Sequence, residues 1–249
     1  MSFFRFLVAI VGFVMIAANV VSAEDFAIET TVYSGDETKP TASYLTIFYE
    51  QKIYDVCEVP NPTTIVFDRT SRDFQIANSA AAMRSSITSE ELMRLAASLR
   101  EQAKEARDPL IRFAVDPKFK CDFDKAKRHL SMTSDVWDYH VDVRIEQDPQ
   151  VLARCREFAD WFSYLNSAFR PLPPGLRLEL NGMLQRYQAI PEKVVVHVKR
   201  TGDKQRSEHR WVQPLGPREL EAVEKWSSLK ETLPAVNFAK YHAATRQRR

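Results

Sequence analysis

Apolar and polar side chains alternate along the chain from residue 26 onward. Phe26 and Ile28 fall on one side of this run and Glu29 and Thr31 on the other, which is the two-residue period of a β-strand. The segment 43–59 is dense in Tyr, Ile, Phe and Val, and it predicts one long bent strand or a hairpin.

Two short apolar segments, 63–67 and 74–77, flank a charged turn and predict a further hairpin. Four or five strands are therefore expected before the first helix. That helix is predicted from Ser89, because Thr88 and Glu91 have capping-box spacing and apolar residues then recur at helical intervals.

The pair Asp108-Pro109 is interpreted as the end of this helix. Strands are predicted after it at 110–115, 119–123, 129–133 and 136–145, then helices opening at 148 and 176, strands at 193–199 and 208–213, and a helix at 218–229. Because strands and helices do not alternate regularly, this order indicates an α+β protein. Its sheet should be antiparallel, with helices on one face.

The N-terminus carries the pattern of a secretory leader. Arg5 precedes an apolar run over 6–18, and small residues stand at Val21-Ser22-Ala23, where a signal peptidase reads them. The run is too short to cross about 30 Å of hydrocarbon comfortably. We therefore interpret 1–23 as a cleaved leader, with an uncleaved anchor as the alternative. The mature protein should be exported to the periplasm or the medium, without a further transmembrane segment.

The composition is that of an ordinary globular protein, with 45% apolar and 27% charged residues. A formal net charge of +2 gives no general attraction to nucleic acid, and 6 glycines leave little material for a phosphate-binding loop. We expect no nucleic-acid partner and no cofactor.

Three cysteines follow the leader, at Cys57, Cys121 and Cys155, too far apart for a CxxC motif. Cys155 falls on the apolar stripe of a predicted helix, which favours a buried thiol. A Cys57–Cys121 disulfide between strands stays open as an alternative.

No stretch of the chain reaches the level of a catalytic signature. The 5 histidines form no HxxxH, HxH or HExxH motif, and the G-x-S-x-G elbow of serine hydrolases is missing. His140 and His197 could meet on neighbouring strands, and Asp138 and Asp142 share one strand face. We expect solvated strand faces or hydrogen-bonded core histidines, and no metal site or enzymatic activity.

Large apolar side chains are more numerous than one face of a flat sheet requires. A curved sheet wrapped around a helix could use them, and it would leave an apolar concavity if incompletely filled. The residues expected to bind a ligand in such a concavity are Phe48, Phe67, Phe74, Ile76, Leu95, Trp137 and Tyr139. A filled core is the alternative.

The order of elements resembles the half-barrel carriers of lipoprotein sorting, the LolA/LolB-like superfamily. The resemblance rests on the strand 26–33, the ribbon 44–59, the hairpin 64–76, the helix 90–100 and the closing strands 193–198 and 210–213. It implies a half-barrel-like curved sheet with a helix inside it, and an acyl or lipoprotein ligand. Helices over 148–187 and the C-terminal helix depart from the family pattern and could cap or fill the cavity. The resemblance assigns a role to no individual residue.

The expected organisation is a leader over 1–23, one α+β domain over 24–235 with a helical insertion at 148–187, and a frayed basic tail over 236–249. The expected function is that of an exported, non-enzymatic carrier for an apolar ligand or lipoprotein in the bacterial envelope. The alternatives are an envelope module that binds a partner protein and has a filled core, and a hydrolase with dispersed site residues.

Overall fold

The structure, a computed structural model, describes residues 25–170 and 172–246, so the expected leader over 1–23 lies outside the described residues. The first half contains β1 (Phe26–Ser34), β2 (Ala42–Tyr49), β3 (Lys52–Val59), β4 (Thr63–Asp68), β5 (Asp73–Asn78), β6 (Met83–Thr88), α1 (Ser89–Lys104) and α2 (Pro109–Phe113). The second half contains β7 (Lys120–Asp124), β8 (His129–Thr133), β9 (Trp137–Ile145), α3 (Pro149–Phe169), α4 (Gly175–Arg186), β10 (Ala189–Val198), β11 (Lys204–Val212), α5 (Pro217–Thr232) and α6 (Phe238–Arg246).

All these strands belong to one antiparallel sheet in the order β6-β5-β4-β3-β2-β1-β11-β10-β9-β8-β7. The first strand of the chain therefore lies in the middle and pairs with the last. The sheet is curved but not closed, since β6 and β7 are its two edges. The predicted α+β class with a curved antiparallel sheet is confirmed.

The two faces of the sheet bury different clusters of side chains. Phe26 points to the face that we call the aromatic face, where Leu165 of α3 and Tyr241 of α6 pack against it. Ala27 points to the opposite face, which we call the reverse face, where Trp226 of α5 packs. Alternation along each strand thus places helices on both faces of the sheet between β1 and β5. The prediction of helices on one face is wrong in this respect, because α5 covers the reverse face.

The start of α1 confirms the capping box read from the sequence. The Thr88 hydroxyl accepts a hydrogen bond from the Glu91 N–H at 3.1 Å, and the Glu91 carboxylate accepts one from the Thr88 N–H at 2.8 Å. Two backbone donors that the helix leaves free are thereby satisfied.

Two element predictions are wrong. The segment 110–115 is not a strand, because the Asp108 carboxylate accepts from the Leu110 N–H at 2.9 Å and Pro109 takes the first helical position of α2. Six strands, rather than four or five, precede α1, because β6 pairs with β5. Its sequence has too few apolar residues to show the alternation.

The predicted frayed tail is also wrong for residues 238–246, which form α6. Tyr241 is only 2% exposed and Thr245 is buried, so this helix is docked on the domain. Just before it, the Arg84 N–H donates to the Pro234 carbonyl at 3.0 Å and the Val236 N–H donates to the Arg84 carbonyl at 2.9 Å. The segment leading into α6 thus covers part of the β6 edge.

Between the alternatives for 43–59, the structure has a hairpin, β2 and β3, which turns at Glu50 with a positive φ of 50°. The helices of 149–186 lie between β9 and β10, where the insertion was expected. Among the described helices, none is long and apolar enough to cross a membrane.

Candidate functional site

A continuous row of apolar side chains crosses six neighbouring strands on the aromatic face. Each member lies directly opposite the next in the strand register, and all are at most 6% exposed. We call this the aromatic row; from β6 to β1 it consists of Ile87, Phe74, Phe67, Ile53, Phe48 and Phe26.

Helix α3 lies over the aromatic row and contacts it through its own rings. Proline at its first position and the Asp148 cap start the helix, and aromatic residues recur at intervals of three and four, which places them on one side. The ring pairs, with their centroid distances, are Phe48–Phe158 at 5.7 Å, Phe67–Trp161 at 6.3 Å and Phe74–Phe162 at 6.4 Å.

The buried hydroxyl groups of α3 bond within the helix. Ser163 donates to the Ala159 carbonyl at 2.6 Å and Ser167 donates to the Ser163 carbonyl at 3.1 Å, although both serines are at most 5% exposed. These polar groups are therefore satisfied without a partner on the sheet.

Two ionic contacts join the first half of α3 to the sheet side of the molecule. Arg69, after β4, donates to Glu157 at 2.7 Å, and the buried Arg154 donates to Asp25 at 3.3 Å. Because Arg154 is 5% exposed, loss of its contact with Asp25 would destabilise the protein more than loss of a surface ion pair.

The structure brings four of the seven predicted ligand-binding residues together. Phe48, Phe67, Phe74 and Ile76 belong to one buried cluster on the aromatic face. Trp137 and Tyr139 lie instead on β9, in a second cluster formed with α4. Leu95 is half-buried on α1 and belongs to neither cluster.

A row of polar side chains crosses the same face about 13 Å from the aromatic row, measured along the strands. Tyr44 lies four positions before Phe48 on β2, and a strand rises about 3.3 Å per residue. The members of this row again lie opposite one another, strand by strand. We call this row the polar band; from β5 to β11 it consists of Asn78, Thr63, Cys57, Tyr44, Thr30 and His209. The sequence analysis missed it, although Thr30 interrupts the apolar side of β1.

Hydrogen bonds link neighbouring members of the polar band. Asn78 donates its amide to Thr63 at 3.0 Å, and the Thr30 hydroxyl lies 2.9 Å from Nδ1 of His209. Ser207 lies 3.1 Å from Nε2 of the same ring. Both ring nitrogens of His209 are therefore engaged by hydroxyl groups.

Burial shifts the pKa values of groups in and beside the polar band. It lowers the pKa of His209 to about 4, helped by the nearby positive charge of Arg177. It raises the pKa of Asp55, one row closer to the aromatic row, to about 6, although the Thr46 hydroxyl donates to that carboxylate at 2.6 Å. Burial also raises the pKa of Tyr44 and of Cys57.

Two arginines, at the end of α3 and the start of α4, bring positive charge to the polar band. Arg170, which ends α3, acts on Tyr44, and Arg177, in the first turn of α4, acts on His209 and Tyr139. Across residues 25–170 and 172–246, no carboxylate lies within 4 Å of either guanidinium.

The histidines and carboxylates considered for metal or acid–base chemistry lie elsewhere. His129 and Asp142 make a 2.7 Å contact, and His140 stacks on His129 at 5.9 Å. His197 lies opposite Asp138 on the next strand, whereas His140 lies opposite a valine. Within the described part of the chain, no group of three or more His, Cys, Asp or Glu residues could hold a metal ion.

All three cysteines are free. The Cys57–Cys121 disulfide is wrong, because six strands separate β3 from β7 in the sheet. Cys155 is half-buried rather than fully buried, and it packs against the cluster under α3. Desolvation of its thiol raises the pKa to about 12.

The reverse face holds a small polar pocket of about 260 Å³ between α5 and the β5–β6 edge. Trp226, Lys230, Arg84 and Asp73 are among the residues that line it. It lies across the sheet from the aromatic row.

Comparison with known proteins gives no family for this chain. No protein-family model and no curated protein matches it. Two solved structures of PNGF-II, in the C2 and P21 space groups, are similar at 10% and 8% identity, each with a TM-score of 0.37. The matches cover 89% of this chain but 32% and 33% of those chains, so this chain spans about a third of their length.

Proposed function

We propose that this protein is an exported, non-enzymatic carrier that holds an acyl chain or a similar apolar ligand between the aromatic row and α3. The observation that carries the proposal is that α3 covers the aromatic row and contacts three of its six members, Phe48, Phe67 and Phe74, through aromatic rings. An apolar ligand in the place of those rings would keep the row out of water.

The polar groups of α3 support a helix that can leave the sheet. Ser163 and Ser167 carry their hydrogen-bond partners with them, because both bond to carbonyls of the same helix. Displacing α3 would release the contacts of Arg69 and Arg154, whose charges water can then solvate. The leader pattern over 1–23 supports the exported location.

A cross-link between helix and sheet tests this proposal. In a chain whose Cys57, Cys121 and Cys155 are replaced by serine or alanine, Phe67→Cys and Trp161→Cys place two thiols at a ring pair whose centroids are 6.3 Å apart. We expect the double variant to bind a fluorescent fatty acid before treatment with a short thiol-reactive cross-linker. After treatment it should bind at least about tenfold more weakly.

Each single-cysteine variant, treated in the same way, is the matched control and should keep its affinity. If the cross-linked protein binds as well as the open one, the ligand does not lie under α3. If neither the parent chain nor any variant binds the probe, the carrier function is wrong.

The second candidate is an envelope module that binds a partner protein and uses the aromatic row only as core. Complete burial favours it, since Phe26, Phe67 and Phe74 are 0% exposed. For this function we expect no acyl ligand in native mass spectrometry of protein purified from its own host. Cross-linking α3 to the sheet would then leave partner binding unchanged.

A further inference from the structure

A carrier for a purely apolar ligand has no use for the polar band. Six neighbouring positions on β5, β4, β3, β2, β1 and β11 carry side chains that hydrogen-bond or ionise, on the same face as the aromatic row. Only Asn78 of the six is buried, and the other five side chains are half-buried. The row is therefore partly open to solvent, and a ligand can reach it.

The two rows together fit a ligand with two chemically different ends. They lie about 13 Å apart along the strands, so one extended molecule can reach both. The apolar end would lie against Phe48 and Phe67, and the polar end would meet Tyr44, Thr30 and His209.

The charges near the polar band set the sign of that polar end. Arg177 is half-buried, and Arg170 is exposed at the end of α3. Neither has a carboxylate partner in the described part of the chain. Helix stability does not explain Arg177, because a cation in the first turn of a helix opposes the helix dipole. Asp55, in the adjoining row, is the carboxyl that could oppose an anion here, but it is buried and already accepts a hydrogen bond from Thr46.

We propose that the polar band with Arg170 and Arg177 binds an anionic head group, a carboxylate or a phosphate, on an acyl-chain ligand. This inference rests on the proposed function. The guanidinium groups would pair with the anion and the hydroxyls of Tyr44 and Thr30 would donate to it. His209 would hold Thr30 in place as a neutral ring.

Three ligands of one chain length test the proposal: dodecanoate, dodecyl phosphate and dodecanol, titrated calorimetrically below their micelle concentrations. We expect at least one of the two anions to bind about tenfold more tightly than the alcohol, since hydrogen bonds to charged groups are the stronger ones. The tighter of the two identifies the head group as carboxylate or phosphate.

The variant Arg177→Gln should remove most of that preference while leaving the affinity for dodecanol unchanged. Arg100→Gln, on the exposed side of α1, is the matched control and should bind all three ligands as the parent does. Circular dichroism establishes that both variants are folded.

Equal affinity for the alcohol and both anions would overturn the anionic head group and leave the carrier function standing. So would an Arg177→Gln variant that weakens all three ligands alike. If none of the three binds, the carrier function fails and this inference fails with it.

Discussion

Asp55 and His209 lie on the same face of the sheet, and burial shifts their pKa values in opposite directions. The carboxyl titrates near 6 instead of its usual 3.8, and the imidazole near 4 instead of 6.5. In both cases the folded protein disfavours the charged form, because water no longer solvates it.

The signs of the two effects on stability follow from proton binding. Between pH 4 and 6 the folded state holds a proton on Asp55 that the unfolded chain has released, so this group makes the protein less stable as pH rises. Over pH 4 to 6.5 the unfolded chain holds a proton on His209 that the folded state lacks, so this group makes it more stable as pH rises.

We therefore expect Asp55→Asn to be more stable than the parent at pH 7.5, by at most about 3 kcal/mol. The amide keeps an acceptor for the Thr46 hydroxyl but has no charge to desolvate. The advantage should disappear at pH 4. Urea unfolding at both pH values measures this advantage. The variant His209→Gln tests the opposite effect: it should lose less stability than the parent when the pH falls from 7.5 to 4. An Asp55→Asn advantage that is the same at pH 4 and pH 7.5 would contradict the assignment.

At the scale of single elements, the capping box at Thr88 and Glu91 determines where α1 begins. Thr88 and Glu91 satisfy each other's neighbouring backbone N–H groups, and the helix begins where that pair stands.

We expect Thr88→Ala to destabilise the protein by about 1 kcal/mol, because one N-terminal donor of α1 loses its acceptor. Chemical unfolding at constant pH measures the loss. Thr38→Ala, in the exposed turn after β1, is the matched control and should change the free energy of unfolding by less than about 0.5 kcal/mol. Equal effects of the two substitutions would mean that the cap contributes nothing.

The elements that sequence analysis found are those whose pattern is local. Capping at Thr88 and Asp148 and the alternation of β1 and β9 need no knowledge of neighbours. Asp108 failed as a predictor because Asp followed by Pro can end one helix and begin the next. In β6, Ser85 and Ser86 hide the alternation, and pairing with β5 supplies what propensity does not.

The candidate site was harder to predict than the fold for a related reason. Phe48, Phe67 and Phe74 could be chosen because large apolar residues on strands usually face a core. The polar band depends on the register of six strands, which turn lengths and the bulge at Ser43 fix and composition does not. The sequence groups Trp137 and Tyr139 with the phenylalanines because it does not give the order of the strands. In the sheet, β9 lies on the other side of β11 from the aromatic row.

At the scale of the whole molecule, residues 234–246 protect an edge of the sheet. Backbone hydrogen bonds from Arg84 reach Pro234 and Val236, and α6 then buries Tyr241 over the β6 end of the aromatic face. An edge strand without such cover offers free N–H and C=O groups to other chains.

Removal of residues 234–249 should therefore lower the free energy of unfolding by at least about 3 kcal/mol, the usual loss for a buried aromatic side chain. It should also cause self-association that increases with concentration, because the β6 edge becomes free. Sedimentation velocity and urea unfolding measure the two effects, and removal of 247–249 alone is the control. A shortened chain that stays monomeric and equally stable would show that this segment protects nothing.

The central position of β1 divides the sheet into two arms, β1 to β6 and β11 to β7. The sequence distance between pairing strands suggests the order in which they assemble. From β1 to β6 every strand pairs with its neighbour in sequence, so this arm can assemble by successive short loop closures. The seam between β1 and β11 joins residues as far apart as Thr30 and His209, 179 positions along the chain. β9 and β10 also pair across α3 and α4, but over a shorter stretch of chain. We expect the β1–β11 closure to limit the folding rate and to come after both arms have formed.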